Sequence, residues 1–134
     1  MDKRTARFIG LALAESAKST YDRVRIGAVI VEKNYPIAAG ANLSTSHPLQ
    51  YKYNLKSGRV APKHCLHAEM HALVRAYRER ENLNGLEMFV ARLDRRGRLA
   101  MCRPCCACSA AIRESGIVAV TYTTPKGIAR TLLN

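Results

Sequence analysis

His67-Ala68-Glu69 and Pro104-Cys105-Cys106-Ala107-Cys108 are the two segments on which the reading of this chain turns. The first has the form H-x-E and the second P-C-x-x-C, with about one helix and one strand of chain between them. One imidazole and two thiolates make three protein ligands, so a tetrahedral zinc held by His67, Cys105 and Cys108 keeps one position open for water. Glu69 is then a carboxylate beside that water, placed to move its proton. The spacing supports this division of labour. Cys105 and Cys108 are i and i+3, on one face at a helix start. Pro104 suits the first turn of that helix, where its missing N–H is no loss. His67 opens a second helical pattern, in which Met70, Leu73, Val74 and Tyr77 recur at the 3.6-residue period. Two helix N-termini facing one ion favour thiolate over thiol, as metal binding requires.

Competing readings exist for each part. A C-x-x-C pair alone also fits a structural zinc or a redox dithiol. His67 and His71 are i and i+4, as in H-E-x-x-H metal sites, but Ala68 stands where that motif has Glu. A closed structural site could use Cys102, Cys105 and Cys108 with His67. It would leave Glu69 without a purpose.

The 134 residues suffice for one domain with one core, here taken as 1–134. No apolar run reaches transmembrane length, and Met1-Asp2-Lys3-Arg4 leads into an amphipathic pattern rather than a signal peptide. Four of the five cysteines fall between Cys102 and Cys108, which fits metal binding in a reducing compartment better than a disulfide framework. The expected setting is the cytoplasm. Lys and Arg number 22 against 10 acidic residues, a formal net charge of +12. Such an excess attracts anions, whether nucleotides or single-stranded nucleic acid.

The chain shows no repeat or low-complexity linker. A first helix is predicted over about Asp2 to Ser19, with Ile9, Ala12, Leu13 and Ser16 inward. Ile26–Val31 and Ile37–Ala41 read as strands around a hairpin turn at Glu32-Lys33-Asn34. Asn42 to Cys65 is a long polar segment without clear periodicity. The His67 helix runs to about Arg80. Leu86–Leu93 reads as a strand, Asp94 to Arg98 as a turn, and the Cys105 helix ends near Ser115 with Gly116 as its stop. Ile117–Thr123 is a last clear strand, and Ile128–Leu133 is read as a short closing helix. Strands alternating with helices in the second half argue a mostly parallel sheet, with a hairpin at one edge.

With these motifs in this order, the chain resembles the cytidine/deoxycytidylate deaminase superfamily, most closely small phage-type deoxycytidylate deaminases. The resemblance covers nearly the whole length. It includes the segment Ala17-Lys18-Ser19-Thr20-Tyr21-Asp22-Arg23-Val24-Arg25-Ile26-Gly27-Ala28-Val29-Ile30-Val31. Gly40-Ala41-Asn42 is similar to the family's glycine–aromatic–asparagine step, with Ala41 where an aromatic is common. The resemblance implies a cytidine deaminase-like α/β fold, three layers α/β/α with a mixed sheet of about five strands covered by helices. It implies zinc on His67, Cys105 and Cys108, with Glu69 as proton shuttle. It implies substrate contacts from Asn42, Ala68 and the backbone ahead of Pro104, at Arg103. Cys102-Arg103 departs from the Glu or Ser usual before that Pro.

Tyr51, Lys52, Tyr53, Lys56, Arg59 and Lys63 interleave basic and aromatic groups along the polar segment. They could bind phosphate or stack a base, or form a solvated loop whose tyrosines cover the core. Tyr51 and Lys52 are taken as substrate contacts. His64 and Cys65 could help hold a second zinc, but a packed Cys65 and a partly exposed His64 are preferred. Cys106 is expected to pack inward. The activity expected is hydrolytic deamination of cytosine to uracil in a nucleotide such as dCMP, releasing ammonia. Two alternatives stand beside it. One is a deaminase of cytosine or adenine in single-stranded DNA or RNA. The other is a non-catalytic zinc-stabilised nucleic-acid binder, against which Glu69 argues. Relatives commonly assemble, so a homo-oligomer is an expected form. A bacterial or phage-infected host cell is the expected setting, and no membrane partner is.

Overall fold

The computed structural model describes residues 1–21, 23–58 and 65–133. Helix α1 (Lys3–Ser16) leads into strands β1 (Ile26–Glu32) and β2 (Tyr35–Ala41). Helices α2 (Pro48–Lys56) and α3 (Ala68–Glu79) precede β3 (Glu87–Arg92). Helix α4 (Cys106–Ser115) and strands β4 (Ala119–Thr124) and β5 (Gly127–Leu132) complete the order. Arg59, Lys63 and His64 lie outside the described residues.

The strands form one sheet in the order β2-β1-β3-β4-β5. Only β3 and β4 are parallel, joined through α4; β1 runs antiparallel to both its neighbours and β5 to β4. The sheet is therefore mixed and five-stranded, as the family resemblance implied; the mostly parallel sheet argued from helix–strand alternation is corrected. For β1–β2 and β4–β5 the cause lies in the turns, because a tight turn can only return a strand antiparallel. Lys33, at φ 55°, reverses the chain between β1 and β2. Thr124 does the same before β5: its Oγ1 accepts from the Lys126 N–H at 3.1 Å and donates to the Gly127 carbonyl at 3.1 Å. This turn also corrects the closing helix expected over Ile128–Leu133. A helix of six residues is too short to hold itself, whereas β4 offers ladder partners from Gly127 to Leu132.

Alternation along the strands fills both faces. Val29, Val31, Phe89 and Ala91 meet Phe8, Ile9 and Ala12 of α1. Ala28, Ile30, Met88, Val90, Val120 and Tyr122 join the cluster that holds α3 and α4. The result is the three-layer α/β/α arrangement. The buried stripe of α1 is Phe8, Ile9, Ala12 and Glu15; Leu13 and Ser16, expected inward, are half-buried. Glu15 tolerates burial because Lys18 and Arg75 pair with it at 3.1 and 3.5 Å. Gly40 allows α3 to lie directly on β2. A Cβ there would stand 2.5 Å from the Ala72 nitrogen and 2.9 Å from the Ala68 carbonyl. Gly116 closes α4 in the left-handed conformation, φ 95°.

The segment read as aperiodic holds α2. Pro48 occupies its first turn, and the His47 ring accepts from the Leu49 N–H at 3.0 Å as N-cap. The helix escaped the periodicity reading because its inward side chains, Gln50 and Tyr53, are polar or amphipathic. Its signal was the proline after a capping residue. Pro104, by contrast, lies one residue before the α4 N-cap, Cys105, and not in the first turn as expected.

Candidate active site

Helix α3 leads into β3 and α4 leads out of it, so both helices begin at the same end of the sheet, where β3 ends. His67 is the N-cap of α3 and Cys105 that of α4, and neither side chain caps its own helix. The His67 Nδ1 stands 3.3 Å from the Cys108 Sγ and 3.6 Å from the Cys105 Sγ. All three ligand atoms lie within 4.8 Å of one another. An ion with Zn–N of about 2.0–2.1 Å and Zn–S of about 2.3 Å places nitrogen and sulfur about 3.6 Å apart in a tetrahedron. The observed edges fit that geometry, and the donor set suits zinc. Among the described residues this is the one group of three or more His, Cys, Asp or Glu side chains gathered closely enough for a metal. Cys102 and His71 are not in it, so neither the closed four-ligand site nor the His67–His71 pair is assembled.

Electrostatics favours the same use. Hydrogen bonding from Cys108, helped by His67, outweighs burial and brings the Cys105 thiol down to about 3. A thiolate is thus available as ligand at neutral pH. Glu69 lies in the first turn of α3, only 5% exposed. Burial pushes its carboxyl above the usual range, against the opposing pull of its own backbone N–H and His67. A carboxyl raised towards neutrality suits a group that must both take and give a proton. Cys102 is buried behind it, its backbone N–H bonded to the Thr123 carbonyl at 3.0 Å. Burial, and then the nearby Glu69 charge, push its thiol up, so Cys102 stays a neutral thiol.

The other candidates are placed as follows. Ala68 is fully buried at the first position of α3. Asn42 is buried, and its amide is engaged with the chain entering β1: Oδ1 accepts from the Ile26 N–H at 2.8 Å and Nδ2 donates to the Val24 carbonyl at 2.7 Å. Tyr51 and Lys52 stand on the exposed side of α2, with the Lys52 ammonium 5.4 Å from the Tyr53 ring centroid. Arg103 lines a cavity of about 70 Å³ with Pro104, Ser109, Val120, Tyr122 and Thr131, between α4 and the β4–β5 hairpin. His71 packs on β2, with its Nδ1 3.0 Å from the Ala41 carbonyl oxygen. Cys106, expected inward, is exposed, because the α4 face that turns to the core carries Ala107, Cys108 and Ala111. Cys65 is half-buried.

Sequence reasoning missed Gln50. It is fully buried on α2, and its Oε1 accepts the His67 backbone N–H at 2.9 Å while its Nε2 donates to Asn54 Oδ1 at 2.9 Å. It thereby fixes the backbone of a ligand residue. No sequence pattern signals a side chain that bonds to a distant main chain.

The family described as the cytidine and deoxycytidylate deaminase zinc-binding region matches residues 2–124, which span all three clustered ligands and Glu69. The chain belongs to this family. A deoxycytidylate deaminase of Mycobacterium phage D29 is 31% identical over 130 residues, 86% of this chain and 90% of that one. The dCMP deaminase of cyanophage S-TIM5, solved in complex with dCMP and dUMP, superposes with a TM-score of 0.65 at 27% identity, over 91% of this chain and 82% of that one. A cytidine deaminase from Burkholderia pseudomallei gives 0.69 over 99% and 94% of the two chains; at 20% identity it bears on the fold alone. Membership makes this chain a zinc-dependent hydrolase of the deaminase type. No helix among the described residues is long and apolar enough to cross a membrane.

Proposed function

We propose that the chain deaminates deoxycytidine monophosphate hydrolytically, giving deoxyuridine monophosphate and ammonia. The observation that carries the reading is the joining of His67, Cys105 and Cys108 at two helix starts, with buried Glu69 two residues from His67. The phage relatives named for this nucleotide support the choice of substrate. A zinc held by the three ligands would supply a water acidified to a pKa near about 7.

The remaining work falls to the chain. Glu69 accepts a proton from the attacking water and passes it to N3 of the cytosine ring, which makes C4 electrophilic. The water oxygen bonds to C4. Glu69 then takes the second proton from the hydroxyl now on C4 and hands it to the exocyclic amino group; the C4–N bond breaks, ammonia leaves, and the C4 oxygen becomes the uracil carbonyl. Burial of Glu69 suits both directions of transfer. Ala68, at the buried first position of α3, lines the pocket for the base. Asn42 acts there through the β1 entry that it fixes, and Arg103, Tyr51 and Lys52 form the rim. The cytoplasm of a bacterial or phage-infected cell is the setting that such a nucleotide requires.

The test is incubation of the zinc-loaded protein with dCMP, cytidine and a cytosine-containing single-stranded oligonucleotide, following ammonia and the uracil product. Turnover of dCMP ahead of the others is expected. An oligonucleotide deaminated faster than dCMP overturns the assignment.

A further inference from the structure

The cavity of about 70 Å³ between α4 and the β4–β5 hairpin is lined by none of the clustered metal ligands and not by Glu69. Val120 and Thr131, register partners on β4 and β5, form its floor, and Ile112 of α4 and Leu133 add apolar walls. Tyr122 also lines it and is only 8% exposed, yet its hydroxyl has no hydrogen-bond partner among the described residues. A tyrosine so deeply buried ordinarily bonds its hydroxyl. Among the described residues no fully buried side-chain oxygen lacks a partner, so the Tyr122 hydroxyl meets open space, and the cavity is that space. The Thr131 hydroxyl is unbonded in the same sense. Ser109 is engaged, donating to the Pro104 carbonyl at 3.3 Å.

Arg103 and Arg113 stand at the exposed side of this cavity, and neither has a carboxylate partner among the described residues. No acid, histidine or cysteine lines it, so a cation would find no ligand there. Two guanidiniums and two unbonded hydroxyls over an apolar floor ask for an anion with an apolar part. Size narrows the choice. An apolar cavity of about 150 Å³ takes benzene. By proportion, about 70 Å³ encloses about three heavy atoms, the head of a carboxylate. The planar oxygens of a carboxylate match a guanidinium fork, and the two hydroxyls can donate to the lone pairs left over. A phosphate is bulkier and has no apolar part for Ile112, Val120 and Leu133 to cover.

We propose that this cavity is a binding site for a small monocarboxylate such as propionate, its head between Arg103, Arg113, Tyr122 and Thr131 and its stem against Ile112 and Leu133. The site is separate from the deaminase reading and does not depend on it. Arg103 alone is shared with the substrate rim, so the variants that test the site leave it in place.

The experiment reads binding and needs no turnover. The zinc-loaded, isotope-labelled full chain is titrated with acetate, propionate and inorganic phosphate, with chloride holding the ionic strength constant, and amide shifts are followed by NMR. Saturable shifts are expected at Arg103, Ser109, Arg113 and Thr131, with propionate bound more tightly than acetate. Tyr122→Phe removes only the unbonded hydroxyl. Its melting temperature should not fall, while propionate should bind about tenfold more weakly, as loss of a hydrogen bond to a charged group implies. Arg113→Gln should weaken propionate by about tenfold as well. Arg78→Gln, which removes an exposed charge from α3, should change it less than about twofold. Absence of saturable shifts with propionate overturns the proposal. Equal weakening by Arg113→Gln and Arg78→Gln, or phosphate bound as tightly as propionate at the same amides, reduces the cavity to general positive charge and overturns it too. A lower melting temperature for Tyr122→Phe would give the hydroxyl a partner within the fold, with the same result.

Discussion

At the scale of single residues, Glu69 and Gln50 make opposite lessons. Glu69 follows His67 by two residues, and that spacing alone nominated it as the proton carrier beside a metal-held water. Glu69→Gln should keep zinc and fold but lose turnover by at least about 10²-fold, the low end for general acid–base groups. Metal analysis and initial rates check it, and lost zinc would mark Glu69 as a ligand instead. Gln50 was illegible, because its partner is the main-chain N–H of a residue 17 positions on. Gln50→Ala leaves that half-buried donor without its partner. It should cost about 1–3 kcal/mol of stability and weaken zinc binding by about 10- to 100-fold, as loss of groups that orient ligands does. Denaturant unfolding and competition with a chelator measure the two separately. Zinc affinity equal to wild type would show that α2 has no hold on the site. Asn42 falls between these cases. Its position was found from resemblance, but the amide's two bonds to the Val24–Ile26 backbone became visible only in three dimensions.

At the scale of elements, what could be read was whatever repeats apolar side chains at a fixed period. α1, β1, β3, α3, α4 and β4 all do so, and their expected bounds lie within a few residues of those observed. α2 and β5 were not read, because neither owes its form to an apolar stripe. α2 is set by a proline and a capping His47, and β5 by the turn that precedes it. Connections between elements obey the same logic. Arg80, which ends α3, grips Glu32 at the end of β1 by two bonds of 2.8 and 2.7 Å. The Arg80 hydrogen bonds hold the Glu32 carboxyl below its ordinary value of 4.5. A lowered acid stabilises the fold above its unfolded value, and that contribution is lost as pH falls through the lowered one. The melting temperature of wild type should therefore exceed that of Arg80→Gln at pH 7, with the gap closing well below pH 4.5. The pair is exposed, so the gap is small. A gap independent of pH in calorimetric melts would assign it to packing of the arginine stem rather than to charge.

At the scale of the whole molecule, three layers place two helix starts at one end of a five-stranded sheet, and a metal held by His67, Cys105 and Cys108 at those starts would tie α3 to α4 within one layer. Metal affinity is then also stability. Cys105→Ser should release zinc, abolish turnover and lower the melting temperature, whereas Cys106→Ser should leave about one zinc per chain, since the Cys106 thiol is exposed and outside the ligand cluster. Elemental analysis of the two variants decides it; zinc retained by the first or lost by the second would redraw the ligand set. The order of layers was legible from helix–strand alternation, but strand direction was not, because direction depends on turn lengths. The basic excess was plain from composition, yet its gathering at Arg23, Arg25, Arg92 and Arg95 required β1 and β3 to be side by side.

The distance along the chain between His67 and Cys108, 41 residues, has a meaning in time. A chain synthesised from its N-terminus at about 5–20 residues per second delivers the imidazole about 2–8 s before the last thiol. Meanwhile α1 and the β1–β2 hairpin have already been made. The ion is captured only after the strand and helix between its ligands have been delivered. It therefore seals a fold already begun rather than starting one, and a cell short of zinc would accumulate chains arrested at that late step.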